Sequence, residues 1–109
     1  MKLNVRKNEI WLVNLDPTIG SEIKKSRPCV IVSPDVMNRY LATVIVAPLT
    51  STSKNYPSRV DSTFQGNPGQ IALDQLRAVD KLRLTKKLGL LDKQTTEDVH
   101  AVLTTMFST

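Results

Sequence analysis

Three short stretches of this 109-residue chain carry groups that could do chemistry: Gly20-Ser21-Glu22-Ile23-Lys24-Lys25-Ser26-Arg27-Pro28, Thr50-Ser51-Thr52-Ser53-Lys54, and Asp74-Gln75. A proline biases the residue before it towards extended geometry, so Arg27 is expected at the mouth of a strand. A guanidinium fixed there is a permanently charged fork able to hold a phosphate that is gaining charge. With the hydroxyls from Thr50 to Ser53 and the carboxylates of Glu22 and Asp74, the set suits cleavage of an RNA phosphodiester. In that reaction the nucleophile is the substrate's own 2′-hydroxyl and no metal is obligatory. The protein has to orient ribose and phosphate for in-line attack and neutralise the charge that develops. DNA lacks the hydroxyl and should be inert. Each group also has an ordinary alternative: a solvated arginine at a strand end, a turn threonine, solvated loop carboxylates.

Other chemistries are poorly supplied. The chain has four glycines but neither a Gly-x-Gly-x-x-Gly nor a Gly-Lys-Ser/Thr pattern, so no dinucleotide or triphosphate cradle is expected. One histidine and one cysteine cannot build a zinc site of usual composition, and no metal or cofactor is expected. His100 reads as a surface or interface histidine within a terminal helix, which leaves a serine or cysteine triad without its proton acceptor. Cys29, inside an apolar run and unable to form an internal disulfide, reads as a buried thiol of a reducing cytosol.

The elements that must position these groups are mostly strands. Ile10 to Leu15 is apolar enough that both its faces should be covered, one by the core and one by a partner or loop, and Asp16-Pro17-Thr18 ends it with turn chemistry. A mobile loop then leads to a second strand over Pro28 to Val32. Asp35 to Tyr40 allows a short helical turn, Ala42 to Leu49 a third strand, and Thr50 to Pro57 a hydroxyl-rich loop. Arg59 to Phe64 is a further strand with Gly66 to Gly69 as its turn, and Gln70 to Leu73 resumes extended structure. Lys81 to Leu91 is basic and mixed, with Gly89 breaking any long helix. Asp92 caps a terminal helix whose apolar stripe is Val99, Val102, Leu103, Met106 and Phe107. Met1 to Lys7 reads as a loose lead-in. The sum is one domain spanning residues 1–109, mainly β, a small barrel with short helices and a C-terminal amphipathic helix.

A formal charge of +5 and a sequence pI near 9.6 suggest an anionic partner. No segment is long enough to span a bilayer and no cleavable leader is evident, so a cytoplasmic protein without a membrane partner is expected.

Four segments in order resemble the MazF/PemK family of toxin endoribonucleases from bacterial toxin–antitoxin modules. They are Glu9-Ile10-Trp11 leading to Leu15-Asp16-Pro17-Thr18-Ile19-Gly20-Ser21-Glu22, Arg27-Pro28 followed by Val30 to Pro34, Val46-Ala47-Pro48-Leu49-Thr50-Ser51, and Asp74 to Asp80. The resemblance implies an SH3-like barrel of the CcdB/MazF type, a homodimer, and metal-independent, sequence-specific cleavage of single-stranded mRNA. Products would carry a 2′,3′-cyclic phosphate and a 5′-hydroxyl. It also implies a cognate antitoxin whose acidic tail occupies the RNA channel, and contact with DNA only indirectly, through that antitoxin.

Carried over by motif, Arg27 and Thr50 fall on the family's catalytic arginine and threonine. The free pKa of arginine makes Arg27 a poor base, so phosphate and transition-state stabilisation is its first role, with proton transfer to the leaving oxygen open. Glu22 and Asp74 are the available carboxylate bases, and Gln75 is suited to reading a base edge. Ser21, Lys24, Lys25, Ser51, Ser53 and Lys54 complete the expected RNA contacts, and Tyr56 could stack an unpaired base. Ser21 stands where some PemK-type members have histidine and Ala72 where some have arginine, which favours Arg27 and Thr50 over a mechanism that needs those groups. Two rival readings remain: a CcdB-type gyrase poison, which resembles a chain ending in Trp-Gly-Ile where this one ends Met106-Phe107-Ser108-Thr109, and a non-catalytic RNA-binding barrel.

Overall fold

In the computed structural model, which describes residues 4–108, the first apolar run forms β1 (Glu9–Asn14), which is paired along both edges in a curled antiparallel sheet. β2 (Ser26–Ile31) returns beside it with Val13 opposite Arg27, and β3 (Thr43–Thr50) follows after the short helix α1 (Asp35–Tyr40). β4 (Arg59–Phe64) and β5 (Asn67–Ala72) make a hairpin, a 3-10 turn (Leu73–Gln75) leads to β6 (Arg77–Asp80), and β7 (Leu84–Leu90) precedes α2 (Lys93–Met106). The strand order is β4-β5-β3-β2-β1-β7, with β6 also on β3, so β3 is shared between the two halves of the sheet. This is the small, mainly β barrel-like architecture with a terminal helix that the sequence led us to expect.

Strand alternation sends side chains to two separate cores. Trp11, Val13, Cys29, Ile31, Val44 and Val46 face one; Ile10, Val30, Ala47, Val60 and Ile71 face the other, where Val99 of α2 covers them. Each fully buried aliphatic side chain here contributes on the order of 1.5–3 kcal/mol. β1 is therefore covered on both faces by its own chain, not by a partner. Asp92 caps α2 as expected, its carboxylate accepting from the Thr95 N–H at 2.7 Å. The stripe of α2 is buried at Val99 but runs out into solvent at Phe107, which is 70% exposed.

Four local expectations are corrected. Lys81 to Leu91 contains β7, an edge strand on β1 whose Lys86 and Lys87 are exposed, as protected sheet edges often are. The β4–β5 turn is Gln65-Gly66, both at positive φ, and Asn67 to Gly69 already belongs to β5. The expected lead-in is only partly described, and within it Val5 is buried in the first core, not loose. The loop between β1 and β2, expected to be mobile, is tied down at both ends and in the middle. Leu15 N–H donates to the Lys25 carbonyl at 3.0 Å and Lys25 N–H to the Asp16 carboxylate at 3.1 Å. Arg77 donates to the Leu15 carbonyl at 3.0 Å, Arg83 to the carbonyls of Asn14 and Asp16, and Ile23 N–H to the Gln75 side chain at 3.2 Å.

Candidate active site

Arg27 is the second residue of β2, as the following proline suggested, and lies on the same face of that strand as Cys29 and Ile31. Thr50 ends β3 on the face shared with Val44 and Val46. The β2–β3 ladder runs from Ile31↔Val46 to Cys29↔Pro48, and the same register continued by two residues sets Arg27 opposite Thr50. The ladder stops before that point, and a cleft of about 250 Å³ is lined there by Arg27, Thr50 and Ser51 on one side. The β4–β5 hairpin, with Phe64, Asn67 and Gly69, forms the other wall.

The Nε of Arg27 donates to the Lys24 carbonyl at 2.9 Å, which fixes the plane of the guanidinium. Its two terminal nitrogens make no hydrogen bond among the described residues, so both remain available to an anion. The Thr50 hydroxyl accepts from the Thr52 N–H at 3.2 Å and keeps its own proton to donate. Gly69 is the only residue type that fits beside it: a Cβ there would lie 2.6 Å from the Thr50 carbonyl oxygen.

The remaining candidates do not line this cleft and fall in two groups. Glu22 accepts from the Ile19 N–H at 2.6 Å and closes its own loop turn, and Gln75 is engaged by Ile23 of the same loop. Ser21, Lys24 and Lys25 are exposed on that loop, whose end leads directly into Arg27. Asp74 faces Arg59, whose Nε lies 2.7 Å from Oδ1, and also accepts from the Ser58 hydroxyl at 3.0 Å. Burial alone would raise the Asp74 carboxyl, but the Arg59 and Ser58 hydrogen bonds outweigh it and hold it below its ordinary value. Ser53 and Lys54 are exposed on the loop after Thr50. Tyr56 is engaged by Arg59, whose guanidinium carbon sits 5.3 Å from the ring centroid. Arg27, Thr50 and Ser51 thus line one cleft, while Glu22, Asp74 and Gln75 do not line it and are engaged by partners of their own.

Sequence reasoning missed Arg59, Gln70 and Asp61. Gln70 pairs with Thr50 across β3–β5 and with Asp61 across β4–β5, so these three form one row on the Thr50 side of the sheet. A polar residue between Gly69 and the apolar Ile71-Ala72-Leu73 was the available signal for Gln70. The buried Cys29 thiol lies beneath Arg27, and burial pushes it up to about 12 despite the opposing pull of Arg77 and Arg27. That makes it inert.

Comparison with known proteins gives a consistent answer. The family described as "PemK-like, MazF-like toxin of type II toxin-antitoxin system" matches residues 6–107. Endoribonuclease EndoA of Bacillus subtilis (strain 168) is 32% identical over 105 residues, covering 91% of this chain and 90% of its own. Endoribonuclease PemK of Escherichia coli is 32% identical over 113 residues, covering 98% and 85%. In fold, the chain is similar to MazF from Deinococcus radiodurans, with a TM-score of 0.83 at 24% identity and coverage of 95% and 96%. A mycobacterial endoribonuclease solved in complex with its cognate antitoxin superposes with a TM-score of 0.78 at 22% identity, covering 93% of this chain and 92% of its own. With the motif segments, the fold and the match over residues 6–107 in agreement, this chain belongs to the PemK-like, MazF-like toxin family of type II toxin-antitoxin systems.

Proposed function

We propose that the protein is a sequence-specific endoribonuclease toxin that cleaves single-stranded mRNA without a metal ion. The terminal nitrogens of Arg27 hold the scissile phosphate and stabilise charge as it builds on the non-bridging oxygens. The Thr50 hydroxyl donates to the phosphate or orients the ribose. The 2′-oxygen attacks the adjacent phosphorus and the bond to the 5′-oxygen breaks, leaving a 2′,3′-cyclic phosphate and a 5′-hydroxyl. The proton leaves the 2′-hydroxyl and one is returned to the departing oxygen, so no water is consumed.

With Glu22 and Asp74 engaged by their own partners, the reading rests on in-line positioning and charge stabilisation more than on a strong base. The cations of Lys24, Lys25 and Lys54 and the hydroxyls of Ser21, Ser51 and Ser53 flank the path of the strand. The further partners are a cognate antitoxin occupying the same cleft, DNA only through that antitoxin, and a second copy of the chain in a cytoplasmic homodimer. Exposed Phe107 and Leu82 offer apolar surface for that assembly.

The observation that carries this reading is the shared face of Arg27 and Thr50, with the Arg27 fork tethered at Nε and open at its tips. The test is incubation of purified protein with a long unstructured RNA in excess EDTA, followed by end mapping. Discrete cuts with 5′-hydroxyl ends are expected, reduced by roughly 100-fold or more in Arg27→Ala and by at least about tenfold in Thr50→Ala. RNA that is bound but uncut would support the non-catalytic barrel instead, and untouched RNA with inhibited gyrase the gyrase poison.

A further inference from the structure

Gln70 is 8% exposed, and every polar atom of its side chain is engaged. Its Oε1 accepts from the Lys54 N–H at 3.0 Å, while its Nε2 donates to the Lys54 carbonyl at 3.1 Å and to the Asp61 carboxylate at 3.2 Å. The orientation is unambiguous, because an N–H must meet the oxygen and two acceptors must meet the nitrogen. A carboxamide bonded in both directions to one residue's backbone reproduces a strand-to-strand peptide pair, here made by a side chain with a loop. The cross-strand neighbour of Gln70 is Thr50, four residues before the backbone it grips.

From this geometry we infer that Gln70 is a positioning residue for the Thr50–Lys54 segment, with Asp61 orienting its amide. The inference rests on the ribonuclease reading above and deepens it. Thr50 and Ser51 enter the cleft at one end of this segment, and the clamp at Lys54 fixes the other. Without it the residues beyond Thr50, which itself stays paired with β5, keep among the described residues only the Thr52 N–H to Thr50 hydroxyl bond and a long 3.5 Å contact from Arg59 to the Thr52 carbonyl. Only glutamine meets the requirement. Asparagine is too short, leucine has no polar atoms, and an ionised glutamate cannot donate to the Lys54 carbonyl and would repel Asp61.

The test uses the full-length Gln70→Leu and Gln70→Glu variants, with amide hydrogen exchange at Lys54 and kinetics on an RNA substrate. In the wild type the Lys54 amide is protected, and both substitutions accelerate its exchange at least about tenfold. Gln70→Leu lowers kcat by about 10- to 100-fold with little change in KM, since misplacement of a reacting group acts on the transition state. Introduced into Thr50→Ala, it lowers kcat far less than that, because both changes act through one segment. Gln70→Glu recovers activity as pH falls, because the carboxyl, raised by Asp61 beside it, regains a donor on protonation.

An unprotected Lys54 amide in the wild type, undiminished kcat in Gln70→Leu, or strict additivity with Thr50→Ala would each overturn the inference. If Gln70→Leu does not fold, Gln70→Glu carries the test through its pH profile. A wild type that cuts no RNA removes the ribonuclease reading, and Lys54 exchange then decides the clamp by itself.

Discussion

The guanidinium of Arg59 meets the carboxylate of Asp74 twice, Nε at 2.7 Å from Oδ1 and Nη2 at 3.3 Å from Oδ2, across the end of the β4–β5 hairpin. The arginine side chain is 7% exposed and the aspartate 28%, so the pair is shielded and its geometry is the bidentate one that favours arginine. This bond locks the 3-10 turn after β5 onto β4 and engages the carboxylate that the Asp74-Gln75 motif offers as a base. Replacing Asp74 by asparagine should cost about 1–2 kcal/mol of stability, the scale of a hydrogen-bonded charge. RNA cleavage should stay within about tenfold of wild type, while Arg27→Ala loses roughly 100-fold or more. Chemical denaturation and initial rates on one RNA check this, and a loss in Asp74→Asn as large as that in Arg27→Ala would restore Asp74 as the base.

The same pair makes stability depend on pH. Burial raises the Glu9 carboxyl, but hydrogen bonds from Lys87, the Arg6 N–H and the Trp11 indole outweigh it, so Glu9, like Asp74, titrates below its ordinary value. A carboxyl depressed in the folded state binds its proton more readily in the unfolded one. Its contribution is therefore complete above the unfolded pKa, about 4, and is lost as pH falls through the lower folded value. Unfolding free energy should be flat with respect to these two groups above about pH 5 and fall below about pH 4. Asp74→Asn should show a shallower acid slope than wild type in denaturant titrations between pH 6 and pH 3, and an unchanged slope would remove Asp74 from the account.

How much of this could be read from sequence depended on how local its causes are. β1, β2 and β3 declare themselves by runs of β-branched and apolar residues, and α2 by its Asp92 cap and one-face spacing, all features within a few residues of each other. Arg27 was legible because a proline acts on its immediate neighbour. β7 was not, because Leu84-Thr85-Lys86-Lys87-Leu88-Gly89-Leu90 is an edge strand whose partner among the described residues is β1, some 75 residues earlier. Pro68 and Gly69 read as turn residues, yet β3 pairs with β5 only at Gln70 and Ile71, so the strand before them has a free edge that tolerates proline. Gln70 stood out only as a polar residue before Ile71, with nothing nearby to name its partner, and Arg59 had no local signal. Their partners lie 16 and 15 residues away, and only the hairpin register brings them into reach.

Cys29 offers a probe of the native state. Its side chain is fully buried and its thiol is held near 12, so alkylation at neutral pH should be undetectable in the folded protein and rapid once it unfolds. Because the residue lies behind Arg27 on the same strand face, Cys29→Ala leaves a small void there. A loss of about 1 kcal/mol is expected, with cleavage within about threefold of wild type, since the Nε tether of Arg27 to Lys24 is untouched. Mass spectrometry after alkylation checks the first expectation, and labelling of the native protein at the unfolded rate would contradict the burial.

Gly69 decides how closely β5 approaches Thr50. A methyl group there would sit 2.6 Å from the Thr50 carbonyl oxygen and 3.4 Å from its carbonyl carbon, backbone atoms of a strand end that has no flexible side chain to give way. Gly69→Ala must therefore move either β5 or the end of β3, and the end of β3 carries the Thr50 hydroxyl of the cleft that Arg27 also lines. Overpacking of this kind costs about 1–3 kcal/mol, and a displacement of the order of 1 Å at a reacting group can cost about 100-fold in rate. The two effects separate experimentally: the melting temperature reports the strain, and kcat measured well below it reports the displacement. Gly69→Ala should lower both, while Gly66→Ala, at a hairpin tip with nothing within 4 Å, should lower stability through its positive φ of 78° and leave kcat close to wild type. A Gly69→Ala protein with wild-type kcat would show that the position of Thr50 does not matter to the reaction.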